Sequence, residues 1–209
     1  MAPIITLIRH GEGFHNVNND YSIVDPTLTD EGKNQCNRVR DRFPHHANVS
    51  HILASPLYRA IETAFYSFRP AIDRGVKIMA MREVTEASAD PCNSGHTSGE
   101  ILAWAQPPLG LGGDYLDQQT FSWLPPYWSE KSAGLYEVTD SKLRLRALVA
   151  RRIIHRVAMA AGDNSHIVVV SHQDFLSYLV NNYGAWSNAE YRSYHISDDD
   201  AATLVPINI

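Results

Sequence analysis

Four short runs of apolar, β-branched residues punctuate the chain, at 4–8, 51–55, 76–81 and 166–171. Their length and lack of helical periodicity predict buried strands. Between them the apolar positions recur at helical spacing. Thr29 reads as an N-cap, with Asp30 and Glu31 in the first turn of a helix reaching about Phe43. Pro56 falls at the start of a second helix running to about Phe68, the helical position that tolerates proline. Ser141 is placed to cap a long helix to Ala161, with Leu143, Ala147, Ala150, Ile154, Val157 and Ala161 along one face. Gly162-Asp163-Asn164 closes it, and a further helix is predicted over 174–183. An acidic turn, Asp198-Asp199-Asp200, precedes a last strand expected around 203–207.

Strands alternating with helices predict an α/β fold, a three-layer α/β/α sandwich around a mainly parallel sheet. In such sheets ligands bind beyond the carboxyl ends of the strands. Here the residues after each strand carry charge or titrate: Arg9-His10-Gly11, then Ser55 through Arg59, then Arg82-Glu83, then Ser171-His172-Gln173. Parallel neighbours would bring two histidines, at least two arginines and a carboxylate to one edge.

Composition narrows the partners. With 209 residues and 44% hydrophobic content, the chain suits a single domain, 1–209, in which about 84–140 forms an insertion. A formal charge of −5 argues against nucleic acid and leaves a small molecule as the expected partner. Neither a membrane span nor a secretory signal is evident, and Cys36 and Cys92 do not suggest a disulfide framework, so a cytoplasmic setting is expected. His10, Glu12 and His15 lack a metal-ligand spacing, and no metal or cofactor is expected. The remaining histidines (His45, His46, His51, His96, His155, His166 and His195) read as surface or capping groups.

Four blocks, in order, resemble the histidine phosphatase superfamily, whose best-known members are the cofactor-dependent phosphoglycerate mutases. They are Leu7-Ile8-Arg9-His10-Gly11-Glu12, Leu28-Thr29-Asp30-Glu31-Gly32, Ser55-Pro56-Leu57-Tyr58-Arg59-Ala60 and Val168-Val169-Val170-Ser171-His172. The Cys92-Asn93-Ser94-Gly95 stretch and the Trp186…Tyr191-Arg192 ending resemble a fungal and plant branch of phosphoglycerate mutase-like proteins. The resemblance implies a phosphoglycerate mutase-like fold and attack by a neutral His10 on the phosphorus of a small organic phosphomonoester, through a phosphohistidine. It implies that Arg9, Asn16, Arg59 and His172 bind the phosphoryl group. It further implies that Glu83, in Met81-Arg82-Glu83, donates the proton, with Glu86 as the reserve.

One departure bears on the substrate. The family usually carries glycine after the second histidine, whereas here Gln173-Asp174 follows His172, bringing a side chain and a carboxylate near the site. The middle region gathers Trp104, Tyr115, Phe121, Trp123, Tyr127, Trp128 and Tyr136 among Pro107-Pro108, Gly110, Gly112-Gly113 and Pro125-Pro126. These rings form either a lid over the strand ends, with Trp123 and Tyr127 lining a substrate pocket beside Gln173 and Glu86, or a small satellite core. A phosphatase-like hydrolase is favoured over a mutase, for which no second phosphate site is evident. The alternative is a repurposed member that binds or transforms a non-phosphorylated, aromatic or apolar metabolite by acid–base chemistry with His10, His172 and Glu83.

Overall fold

In strand β1 (Ile4–Arg9), Ile5, Leu7 and Ile8 are fully buried, as expected of a strand covered on both faces. The computed structural model describes residues 2–106, 114–182 and 184–207. These form a six-stranded sheet in the order β3-β2-β4-β1-β5-β6, where β2 is Val49–Ala54, β3 Ile78–Ala80, β4 His166–Ser171, β5 Tyr191–Ile196 and β6 Leu204–Pro206. Strands β3, β2, β4 and β1 run parallel, while β5 is antiparallel to both β1 and β6.

The two-residue side-chain period divides the core in two. Ile5, Leu7, Leu53, Ile167 and Val169 pack under α3 (Asp140–Ala161) and α4 (Gln173–Leu179). Ile8, Ile52, Ala54, Val168 and Val170 pack on the opposite face, against Val39 of α1 (Asp30–Arg42) and the buried side of α2 (Tyr58–Ser67). The result is the three-layer, mainly parallel arrangement predicted from the pattern.

Thr29 caps α1 as expected, its Oγ1 accepting from Gly32 N at 2.9 Å. Two other caps differ from expectation. Leu57 is the N-cap of α2, which leaves Pro56 just outside the helix. Thr139, not Ser141, is the N-cap of α3, and Ala158 rather than Val157 completes its buried stripe. Gly162 ends that helix with φ +78, the left-handed region where a missing Cβ removes the steric penalty. Helix α4 stops at Leu179, and Tyr183 lies outside the described residues.

Strand β5 was not apparent in the sequence. Only Tyr194 of Tyr-Arg-Ser-Tyr-His-Ile is buried, so neither a continuous apolar run nor a clean alternation marks it. His166 also departs from the surface role expected of it. It is 2% exposed, bonded through Nε2 to Thr6 Oγ1 at 2.5 Å and stacked on His45.

The middle region settles the choice between lid and satellite core for most of its rings. Tyr115, Phe121, Leu124 and Trp128 are buried in the α2-side core, and Trp104 stacks on Tyr58 with ring centroids 4.1 Å apart. Ile78 N bonds to Tyr115 O at 2.8 Å, stitching this segment to the outer edge of β3. Residues 107–113, with the Pro107-Pro108, Gly110 and Gly112-Gly113 features, lie outside the described residues. No helix among the described residues is long and apolar enough to cross a membrane.

Candidate active site at the carboxyl edge of the sheet

Register places the site. Arg9 lies opposite Ser171, and Ala54 opposite Val170, so the next residues of three parallel strands, His10, His172 and Ser55, emerge together. The rings of His10 and His172 are 5.1 Å apart between centroids. Arg59 reaches the same edge from the first turn of α2.

Close backbone approach shapes the turn after β1. A Cβ on Gly11 would stand 2.8 Å from Gly32 O, and one on Gly32 would stand 2.1 Å from Glu12 O. The first turn of α1 therefore presses directly on the Arg9-His10-Gly11-Glu12 turn, with Thr29 N bonded to Glu12 O at 2.9 Å. Gly11 is required by this proximity and has no positive φ.

Hydrogen-bond partners fix the ring protons. His10 Nδ1 lies 2.7 Å from Gly11 O, and a carbonyl only accepts, so Nδ1 carries the proton and Nε2 keeps its lone pair. Burial, then the charges of Arg59 and Arg9, hold the His10 pKa well below the ordinary histidine value, so the ring is neutral. His15 is 4% exposed, and its Nε2 faces Asn16 Nδ2 at 3.1 Å. That amide donates, so the His15 proton sits on Nδ1. Burial, followed by Arg59 and Arg9, lowers the pKa of His15 to about 3.

Arg59 is 1% exposed. Its Nη1 donates to Cys92 O at 2.7 Å and its Nη2 to Asn93 Oδ1 at 2.6 Å. Arg9 is anchored by Nη1 to Trp186 O at 2.6 Å. Among the described residues, the buried nitrogens without a hydrogen-bond partner include Arg9 Nε, Arg59 Nε and His15 Nδ1. All three residues line one cleft of about 210 Å³ that also contains His10, Asn16 and Glu86. Two guanidinium groups lining one cleft give it positive charge beside the open nitrogen of His10. Asn16 acts beside them, its Oδ1 accepting from Gly13 N at 3.0 Å while its amide orients His15.

The carboxylates separate by position. Glu83 turns away from the cleft to accept from Tyr136 Oη at 3.1 Å, on a 3-10 turn, Arg82–Val84. Glu86 lines the cleft, its Oε1 accepting from Ala87 N at 2.7 Å and from Phe175 N at 3.0 Å. Burial, reinforced by the charge of Asp174, pushes the Glu86 pKa upward. Arg146, 0% exposed on α3, donates through Nη2 to the carbonyls of Thr85 and Glu86 at 3.0 and 3.2 Å and so fixes this backbone.

His172 does not line the cleft. It is fully buried, with both ring nitrogens engaged by Arg59 and Ser55. Gln173 and Asp174 do line it. Trp123 and Tyr127, expected in the pocket, are instead 71% and 81% exposed and stand outside the cleft. His15 and Arg146 were the residues that sequence reasoning missed. His15 lay in plain view five positions after His10 and was considered only as a metal ligand, whereas Arg146 was hidden as a cation on a helix's apolar stripe. Among the described residues, no group of three or more His, Cys, Asp or Glu side chains is arranged to hold a metal ion.

Fold and site together define an α/β protein with a histidine–arginine cluster at the carboxyl edge of its sheet. Residues 5–103 match the model of the histidine phosphatase superfamily (branch 1), the family that the four sequence blocks resemble. No curated protein matches the chain. Similar solved structures include the ecdysone phosphate phosphatase of Bombix mori in complex with tungstate, at 16% identity and TM-score 0.63, covering 99% of this chain and 95% of that one. The phosphoserine phosphatase of Entamoeba histolytica in complex with 3-phosphoglyceric acid is similar at 17% identity and TM-score 0.57, covering 99% and 95%. A mycobacterial hydrolase is similar at 16% identity and TM-score 0.60, covering 98% and 95%. At these identities the likeness concerns the fold.

Proposed function

We propose that this protein is a metal-independent phosphatase-type hydrolase of a small organic phosphomonoester, working through a phosphohistidine on His10. The observation that carries the reading is the convergence of Arg9, Arg59, His15 and Asn16 on one cleft with the open Nε2 of His10. The donors take the non-bridging oxygens, and Nε2 attacks phosphorus in line as the bond to the ester oxygen breaks. Glu86, whose protonated form is favoured by burial and by Asp174, gives its proton to the leaving oxygen. Its carboxylate then takes a proton from water, the water attacks the phosphohistidine, and inorganic phosphate leaves with His10 neutral again.

The proton-donor role passes from Glu83 to Glu86 because only Glu86 lines the cleft. His172 serves by holding Arg59. The superfamily match supports phosphatase chemistry, and the tungstate in the Bombix mori protein is a tetrahedral oxyanion of the kind this cleft would take. The alternative of an aromatic, non-phosphorylated ligand loses one of its two motives, since the insertion's rings named above pack in the core or face solvent rather than lining the cleft, while Gln173 and Asp174 do line it.

The test is turnover of a generic aryl phosphate by the full chain in the presence of a chelator. Hydrolysis lost in His10→Ala supports the reading. Absence of hydrolysis across a broad phosphate panel, or turnover that survives His10→Ala, contradicts it.

A further inference from the structure

The cleft is polarised from floor to mouth. Its floor carries the buried side chains of Arg59 and His15, 1% and 4% exposed, beside Arg9. Its mouth carries two exposed carboxylates that arrive from different parts of the chain. Asp174 is the second residue of α4, and its charge is felt by both Arg9 and Glu86. Asp90 precedes the 3-10 turn Pro91–Asn93, whose Cys92 carbonyl and Asn93 side chain grip Arg59; its Oδ2 is held by Ser88 Oγ at 2.6 Å.

A bare phosphate dianion meets opposing fields here. The floor attracts it, while Asp90 and Asp174 repel any further negative charge on the same molecule. A ligand with an anionic head and a cationic tail meets complementary charge along its whole length. The volume of about 210 Å³ is below the range of drug-sized pockets and admits only a short tail.

We propose that the substrate is a small zwitterionic phosphomonoester, a short aliphatic alcohol phosphate bearing an ammonium group, with Asp174 and Asp90 receiving the ammonium. This rests on the phosphatase reading and adds the chemical class of the leaving alcohol. It also gives Gln173-Asp174, where the family usually has glycine, a selective role: the carboxylate that disfavours a polyanion favours a zwitterion.

The experiment compares kcat/KM of the full chain for three phosphates of similar size: O-phosphoethanolamine, its neutral isostere n-propyl phosphate, and phosphoglycolate. Hydrogen bonds to charged groups predict a preference of about tenfold or more for the amine over the propyl compound, with phosphoglycolate last. Asp174→Asn and Asp90→Asn should each shrink the amine-to-propyl ratio several-fold, and the double variant should bring it near one. The ratio is internal to each variant, so a partial folding defect does not mimic the result. A ratio near one in the unaltered protein, or one that neither substitution moves, overturns the zwitterion while leaving phosphatase activity standing. Failure to hydrolyse any of the three, or an aryl phosphate, removes the phosphatase reading and this inference with it.

Discussion

His172 Nδ1 lies 3.2 Å from Nη2 of Arg59, and since a guanidinium only donates, this nitrogen must be the acceptor. The proton of His172 is thereby placed on Nε2, where it faces Ser55 Oγ at 2.8 Å. The second histidine of the signature is thus a clamp for the arginine, and its neighbour His10 is left as the only one of the pair with an open nitrogen. Burial and the adjacent guanidinium also keep His172 neutral, as the acceptor role requires.

His172→Ala should therefore act through Arg59. We expect a fall in kcat/KM of about 10–10², less than for loss of His10, because it misplaces a donor without removing the nucleophile. His172→Asn, which restores an acceptor for Nη2, should recover part of that loss. Equal inactivity of the two variants would contradict a positioning role.

The proton donor predicts the alkaline limb of the pH profile. Glu86 is active while protonated, and its pKa is raised by burial and by Asp174, so kcat should fall as pH rises through that value. His10, already neutral, contributes no limb near its ordinary range. Glu86→Gln should lower kcat by about 10²-fold and abolish the alkaline limb, whereas Glu83→Gln should leave the shape of the profile unchanged. A limb that persists in Glu86→Gln would assign the proton to another group.

Stability should depend on pH through buried groups of opposite sign. His166, with its pKa lowered to about 4 by burial and then His45, binds fewer protons folded than unfolded between about pH 6.5 and 4. It therefore removes stability as pH falls through that window. Asp25 and Glu62, each raised to about 7 by burial, bind more protons folded between about pH 4 and 7 and lose their contribution as pH rises through that window. Chemical denaturation of His166→Gln between pH 6.5 and 4 should show a shallower loss of stability on acidification than the parent protein. An unchanged slope would mean that His166 does not titrate on unfolding in that window.

Gly32→Ala should damage a site it does not touch. Its Cβ would fall 2.1 Å from Glu12 O, forcing α1 away from the turn that presents His10. We expect about 1–3 kcal/mol of lost stability together with reduced kcat, read by denaturant unfolding and turnover. Full activity at unchanged stability would show that the two segments are less tightly coupled than their packing indicates.

The fold was legible wherever burial is two-sided. The strands His166–Ser171 and Ile4–Arg9 announce themselves because every neighbour covers them, and parallel register then dictates that His10 and His172 meet. Strand β5 escaped because one-sided packing leaves Tyr191–Ile196 polar. The choice between Glu83 and its reserve Glu86 was not legible for a different reason. Glu83 and Glu86 lie three residues apart, and only the irregular backbone held by Ser171 Oγ on Val84 O and by Arg146 on Thr85 and Glu86 decides which enters the cleft. The insertion's rings were legible as a cluster, but aromatic composition does not tell a core from a pocket wall.

The central claim is that His10 Nε2 takes the phosphoryl group. The most direct measurement is intact-protein and peptide mass spectrometry after rapid mixing with phosphoenzyme-forming substrate and quenching at alkaline pH, where phosphohistidine survives. The account predicts one added phosphoryl group, located on His10, lost on brief acid treatment and absent in His10→Ala. Hydrolysis that proceeds with no phosphoryl group ever on His10, or with one on another residue, would contradict it.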